Sequence, residues 1–432
     1  MRQRGSILVA VLWGMVLLSM VVIGVLHTAR TDLTVVKNYG DRVQAHYLAL
    51  AGVERAKALI YQDTVTRQQT AKSHTGSLFD DAKDFRDVPF GRGHFQVLRR
   101  GGSGGRPEIV YGISDEESRL NINNASLNQL TNNSALRGMT AEMAASIVAW
   151  RSPKTQVVPG GAQTEYYMSL KPPYQARNGP FQTMRELLMV RGVTPRLLLG
   201  TNSDQPGTTR APGEDGWSAL LTVADTDKNV GTDGKERVNV QTADESTLAG
   251  IPGITSSIAQ AIISYHGQHR FETIADLLDV TAQQNRPGPP GGRRASANAQ
   301  DGPKVISEEL FTQIADEITV SDETELAGLI NINTASVAVL ECLPGMTPDL
   351  AQAIINTRES GGYFANVAGL LKVEGMTRDI FKQLLPLITV RSETYRIIAE
   401  GKIDSTGTSQ RVEEIVHIGR RDIETLAYRE DL

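Results

Sequence analysis

Polarity divides the N-terminal residues sharply. Arg2 and Arg4 form a short basic head with no acidic residue near it, and residues 6–26 carry no charge. An uncharged, largely apolar run of that length spans a bilayer as a helix. The basic head predicts an N-terminus held in the cytoplasm, so the chain beyond about His27 is expected across the membrane. No proline occurs before Pro89, and the spacing predicts a helix that continues to about Tyr61. Val36, Tyr39, Val43, Tyr47 and Leu50 recur at intervals of three and four. This amphipathic stripe is expected to pack on the chain's own head and to face partner helices near the membrane.

The period then changes. Residues 93–99 alternate apolar and polar side chains, and 108–113 read as a partner strand. The glycine-rich stretch 101–105 between them reads as a hairpin loop: no Lys-Ser/Thr follows it and no helix opens there, as a phosphate loop requires. Residues 395–401 and 411–418 return to strand patterning and are expected to complete the same sheet.

Between these parts lies a threefold internal repeat. The copies open at Leu120-Asn121-Ile122-Asn123-Asn124-Ala125, Val238-Asn239-Val240-Gln241-Thr242-Ala243 and Ile330-Asn331-Ile332-Asn333-Thr334-Ala335. Matching helical segments fall at 144–148, 259–263 and 351–355. Phe181, Phe271 and Phe364 each stand two residues before Thr183, Thr273 and Asn366. The copies close on Thr222-Val223, Thr319-Val320 and Thr389-Val390. In the third copy, Asn333 or Thr334 is expected to cap a helix to about Leu343 that Pro344-Gly345 ends. Thr347 caps the next, with Pro348 at its first position. Gly361-Gly362 stops that helix, Asn366 caps another, Gly375 ends it and Thr377 starts a fourth. Four short helices with glycine turns resemble paired helix-hairpin-helix units. Insertions rich in Pro, Gly and polar residues at 153–180, 203–216 and 283–303 are expected to be mobile loops.

The basic head followed by Gly5 and an apolar helix resembles the signal of type IV pilins and type II secretion pseudopilins. With the strand running into Asp115-Glu116-Glu117-Ser118-Arg119, the helical insert and the returning strands, the chain resembles the type II secretion minor pseudopilin K family. The fold class this implies is α+β: a pilin-like long N-terminal helix plus a small antiparallel sheet, interrupted by a large all-α insert of three helix-hairpin-helix/SAM-like repeats. The expected organisation is a leader 1–5, a transmembrane helix 6–27, a first pilin-like part 28–118, repeats at 119–224, 238–321 and 329–391, an acidic linker 225–237, and pilin-like C-terminal strands 392–432. The resemblance implies cleavage between Gly5 and Ser6 by a prepilin peptidase, methylation of the new N-terminus, and a single-pass inner-membrane protein with its bulk in the periplasm. It also implies partners among the other minor pseudopilins and the major pseudopilin, with contact to exported substrates. Two departures are visible. Ser6 stands where the family usually has a larger apolar residue, and the insert holds an extra copy. Most pseudopilins carry a glutamate at the fifth mature position; here that position is Ala10, as suits a subunit at the filament tip.

Three further chemistries change the picture less. Asp225, Asp227, Asn229, Asp233 and Glu236 have the 1, 3, 5, 9, 12 spacing of a calcium loop, although Val230 stands where such loops need glycine. The resemblance also associates the family with calcium, so Ca2+ at these five residues is an expectation. The alternative function is a membrane-anchored helix-hairpin-helix component of DNA uptake, as in competence receptors with similar Asn-x-Asn-Thr-Ala openings. The turns at Pro252-Gly253-Ile254-Thr255 and Pro344-Gly345-Met346-Thr347 have no adjacent Lys or Arg, and the net charge of −5 opposes phosphate binding, so DNA is not an expected partner. No enzyme site emerges from seven scattered histidines, and Cys342 stands alone in an apolar stretch.

Overall fold

The computed structural model describes residues 4–70, 76–101, 108–131, 134–200, 216–282, 303–419 and 422–430. Helix α1 runs from Arg4 to Thr70 and is the one helix among the described residues long and apolar enough to cross a membrane. It passes the expected end at Tyr61 because no Gly or Pro interrupts residues 53–70. Asp63 and Arg67, one turn apart, pair at 2.9 Å and support the added turns.

The face of α1 that packs on the head is set by small residues. Ala45, Leu48, Ala49, Val53, Ala56 and Ile60 are buried there. The expected stripe is offset from this face. Tyr39, Val43 and Tyr47 stay exposed, so the stripe packs little on the head. Small side chains win this contact because the helix lies very close to the sheet. A Cβ on Gly401 would stand 2.1 Å from the Ala45 carbonyl oxygen.

The sheet has seven strands: β1 (Val88–Phe90), β2 (Gly93–Gly101), β3 (Glu108–Tyr111), β4 (Ser114–Asp115), β5 (Thr394–Ile403), β6 (Ser409–Ile418) and β7 (Ile423–Glu430). Their order is β1-β2-β5-β6-β7, with β3 beside β2 and β4 beside β5, and every pair is antiparallel. The expected hairpin forms, with Leu98 opposite Tyr111; residues 102–105 of its loop lie outside the described residues. C-terminal β5 sits at the centre, so Ala399 opposes both Val97 and Val412. Strand β7 was not legible in the sequence. An irregularity at Ile415/Val416 breaks its register, and all its residues are exposed, so it shows no clean alternation.

The insert has one continuous core across all three repeats. The opening and closing motifs of each copy meet as parallel two-residue ladders: Leu120–Asn121 with Leu221–Thr222, Val238–Asn239 with Ile318–Thr319, and Ile330–Asn331 with Ile388–Thr389. The second helices Ala141–Arg151, Ser256–His266 and Pro348–Gly361 are capped by the side chains of Thr140, Thr255 and Thr347. Two residues before each cap stands a glycine at positive φ (Gly138 77°, Gly253 92°, Gly345 71°), a conformation that glycine adopts without Cβ strain. The same device recurs at Gly192/Thr194 and Gly375/Thr377.

Two expectations are corrected. Ser336, rather than Asn333 or Thr334, caps the helix Val337–Leu340. Asn333 is buried instead: it accepts the Phe364 N–H at 2.8 Å and donates to the carbonyls of Phe364 and Val390. Residues 153–180 form a packed segment with a short helix Thr164–Met168, rather than a loose loop. Tyr167, Tyr174 and Phe181 surround the buried Trp150 ring at 5.0, 6.3 and 6.4 Å, and aromatic burial on this scale outweighs the local Pro and Gly content. The other two expected loops, 203–216 and 283–303, lie almost wholly outside the described residues.

Gly401→Ala is expected to lower the thermal midpoint of the head, at a cost of about 1–3 kcal/mol, because its methyl would meet the backbone of α1. Gly361→Ala, which meets nothing within 4 Å, serves as the control with no loss. Calorimetry of the two variants checks the close helix–sheet contact.

Candidate functional site

Asp115, Glu116 and Glu117 follow one another where β4 leaves the sheet and enters the first repeat. Three successive acids would ordinarily be solvated, yet these are 4, 0 and 1 % exposed. Each has its own set of donors. The Asp115 Oδ2 accepts from Asn331 Nδ2 at 3.0 Å, from the Ser392 hydroxyl at 2.7 Å and from the Thr334 hydroxyl. Its Oδ1 accepts the Glu117 N–H at 2.9 Å. Glu116 accepts from Thr222 at 2.5 Å, from Arg119 at 2.6 Å and from Arg396 Nε. Glu117 Oε1 accepts the N–H groups of Glu393 and Thr394 at 3.0 and 3.1 Å. Thus Asp115 reaches the third repeat, Glu116 the first, and Glu117 the segment returning to the sheet.

The acidic linker is wired in the same way. Asp225 Oδ1 accepts from Asn121 Nδ2 and from the Gly328 N–H at 2.9 Å. Asp227 accepts from the Thr389 hydroxyl at 3.0 Å. Asn229 donates to Thr319 Oγ1 at 3.3 Å and to the Glu323 carbonyl at 2.9 Å. The three therefore serve repeats one, three and two in turn. Asp233 turns away to the Lys235 ammonium at 2.7 Å, and Glu236 is exposed. Among the described residues no group of three His, Cys, Asp or Glu is placed to hold a metal ion. The physical reason lies in the backbone. Asp225, Asp227 and Asn229 are each held by a different repeat, and the chain then closes a tight hairpin in which Val230 bridges Glu236, where a calcium loop needs glycine for its turn. The five residues as placed do not fit the ion.

A rule repeated in all three copies was missed from the sequence. The opening Asn donates its amide to a carboxylate: Asn121 to Asp225, Asn239 to Asp322 at 2.5 Å, and Asn331 to Asp115. Its own oxygen accepts the N–H two residues on, from Asn123, Gln241 and Asn333. The closing Thr meets a polar side chain as well: Glu116, Asn229 and Asp227 respectively. The signal was present in the identical Asn and Thr positions of each copy. Their partners lie about a hundred residues or more away for the first and third Asn, beyond any local pattern. Sequence reasoning also passed over two hairpin turns of the first repeat, where the exposed Arg137 and Arg191 precede Gly138 and Gly192. The Arg191 guanidinium lies over the Tyr166 ring at 5.0 Å. At the N-terminus, Gly5, Ser6 and Ala10 all lie within α1, with Ala10 exposed.

Residues 110–200, which contain the Asp115-Glu116-Glu117 run and most of the first repeat, match the family model for type II secretion system (T2SS), protein K. This segment is similar to the first domain of the protein K family of type II secretion. Residues 233–282 and 327–389 match the helix-hairpin-helix motif, so the second and third repeats of this protein K relative carry that motif. Among solved structures the chain is similar to one of the GspK-GspI-GspJ complex from the enterotoxigenic Escherichia coli type 2 secretion system, at 12% identity and a TM-score of 0.43, covering 94% of this chain and 99% of that one. Among curated proteins it is similar to the endonuclease/exonuclease/phosphatase family domain-containing protein 1 of Bos taurus, 29% identical over 150 residues, 33% of this chain and 26% of that one. It is also similar to ComE operon protein 1 of Bacillus subtilis (strain 168), 33% identical over 96 residues, 21% of this chain and 47% of that one. The chain therefore spans about a quarter of the length of the first relative and about half of the second.

The junction of this protein K relative has its own acid chemistry. Burial raises the Asp115 carboxyl to about 6 and Asp225 to about 7. Burial and the nearby Asp227 raise Glu393 to about 7, and burial with Asp227 and Asp115 pushes Glu117 well above the usual carboxylate range. Glu116 goes the other way: burial alone would raise it, but Arg119 and Arg396 outweigh that and hold it at about 2.

A carboxyl whose folded-state pKa is raised contributes stability that is complete below its unfolded value, near 4, and is lost as pH rises through the folded value. Asp115, Asp225 and Glu393 therefore make the head less stable as pH climbs from about 4 to about 7. Glu116 contributes in the opposite sense, losing its share only as pH falls from about 4 toward about 2. Melting curves should show a higher midpoint at pH 5 than at pH 8, and Asp225→Asn should flatten that difference while keeping an acceptor for Asn121. An unchanged pH profile in Asp225→Asn would contradict the assignment.

Proposed function

We propose that the chain is a minor pseudopilin of a type II secretion system, acting in the tip complex that starts the periplasmic pseudopilus for export across the outer membrane. The observation that carries this reading is the protein K match over residues 110–200, in a chain where a long apolar N-terminal helix leads into a small antiparallel sheet that the helical insert interrupts. In this reading α1 anchors the protein once in the inner membrane, with the head in the periplasm. The other minor pseudopilins and the major pseudopilin are its partners, and exported substrates meet the head. The role is that of a non-catalytic scaffold.

Ala10 supports a place at the tip. A pseudopilin within the shaft uses a glutamate there to meet the N-terminal amine of a subunit ahead of it. A terminal subunit has no such neighbour, and an unpaired carboxylate in an apolar setting is costly. Size points the same way. Helices in a shaft pack at a diameter of about 10–12 Å, while an insert of ~270 residues has a radius of gyration of roughly 18 Å. Identical heads on every subunit would collide. The helix-hairpin-helix matches and the ComE operon protein 1 similarity favour a DNA-uptake component as the second reading. Against it stand Pro252, Pro344 and Glu374 before three of the turn glycines and the net charge of −5.

The reading requires processing between Gly5 and Ser6. Intact mass of the membrane-extracted protein should show a chain beginning at Ser6, with any methylation read in the same spectrum. Gly5→Leu should leave the full-length precursor in the membrane. A wild-type chain that begins at Met1 in cells with a working prepilin peptidase overturns the pseudopilin reading.

A further inference from the structure

The two edges of the sheet differ in kind. β1 is three residues long and contains Pro89, which cannot donate to a further strand. β7 is eight residues long, has neither proline nor lysine, and is exposed along its whole length. Ile423, Leu426 and Tyr428 are 50, 40 and 46 % exposed on it. Among the described residues no strand pairs with its outer side. Edges are ordinarily guarded by shortness, Pro, charge or a bulge; β7 is neither short nor broken by Pro, and its charges, Glu424, Arg429 and Glu430, stand toward its ends and leave residues 425–428 uncharged.

The open edge adjoins a second unpartnered surface. His46 of α1 reaches Glu430 at the end of β7 at 3.8 Å, and Lys57 reaches Glu414 of β6 at 2.7 Å. These contacts fix which flank of α1 looks toward β6 and β7. At 3.6 residues per turn, Leu50 and Val43 lie next round the helix from Lys57 and His46, and Tyr47 lies beyond them on the side of α1 away from the sheet. Val43 and Tyr47 are exposed. The stripe continues through the exposed Tyr39 and Val36 into the membrane-spanning part of α1, so whatever covers it comes from the membrane beside α1.

A second copy of this chain does not fit. Antiparallel pairing of two β7 edges points the second α1 away from the membrane. Parallel pairing turns the second sheet over and puts its α1 on the opposite face. Joining β7 to the far edge of another copy meets Pro89 and only three residues of β1. We propose that the β7 edge, with Val43, Tyr47 and Leu50 beside it, seats a different membrane-anchored pilin-like subunit: its N-terminal helix lies along the stripe and its head adds a strand to β7. This rests on the pseudopilin reading and gives the partner a place on the chain.

The test uses the full-length chain in membranes of cells making its complete secretion system, with single cysteines at Tyr428→Cys, Tyr47→Cys and, as a control inside the membrane, Leu17→Cys. The native Cys342 is buried, and the wild-type chain gives the background. A thiol-to-amine cross-linker followed by mass spectrometry identifies what is captured. The expected result is one and the same other pseudopilin captured at Tyr428→Cys and at Tyr47→Cys. Adding Leu426→Lys, which guards the edge, should abolish capture at Tyr47→Cys without moving the melting midpoint. Capture at Leu17→Cys alone overturns the seat and leaves the pseudopilin reading standing. A second copy captured at Tyr428→Cys overturns the choice of occupant. No pseudopilin captured at any of the three positions overturns the reading and the proposal together.

Discussion

Burying three consecutive carboxylates is the constraint from which the rest of this structure follows. An acid removed from water without compensation is strongly unfavourable, and at Asp115, Glu116 and Glu117 that penalty falls at one point of the chain. It is offset only when the third repeat brings Asn331 and Thr334, the first brings Thr222, and the returning segment brings Ser392 and Arg396. Removing an arginine from the ionised Glu116 leaves a buried charge uncompensated, a loss of about 3–5 kcal/mol in comparable buried pairs. The donors must therefore arrive together, which ties the repeats to the sheet as one body.

That tie explains how a large helical insert can interrupt a small sheet without loosening it. The chain leaves the sheet at β4 and re-enters at β5, and the two strands are neighbours, with Asp115 opposite Tyr395 and Ser114 opposite Arg396. Exit and return form one two-stranded stalk. The carboxylates sit at its top, with Glu116 clamped between Arg119 and Arg396 on the outgoing and incoming sides. A rigid stalk suits a head that must hold a fixed attitude above a membrane helix. The close seat of α1 on the sheet, through Ala45, Gly401 and their small neighbours, carries that attitude down to the membrane.

Much of this was legible in the sequence where the determinants are local. The apolar run, the hairpin, the central returning strands and the threefold repeat all follow from periodicity and turn residues. So do the caps at Thr347, Asn366 and Thr377. What was not legible depends on contacts between distant residues. Asp225, Asp227 and Asn229 have the spacing of a calcium loop, yet each answers a different repeat, and only the assembled insert reveals it. The spacing of Tyr39, Val43 and Tyr47 marks a stripe along α1, yet these three side chains stay exposed. The face in contact sets Ala45, Ala49, Gly52 and Ala56 among Leu48, Val53 and Ile60, since close approach of helix and sheet decides that contact. Residues 153–180 read as a loop until Trp150 is known to need covering.

Glu116 links the first repeat to the sheet. Hydrogen exchange by mass spectrometry, comparing the head with and without Glu116→Ala, tests this most directly. Protection is expected to fall together at the Leu120–Asn121 and Leu221–Thr222 ladder and along β5 near Arg396, while the Gly253 and Gly345 hairpins keep theirs. Loss confined to one side of the junction, with the other side as protected as in the wild-type head, would contradict it.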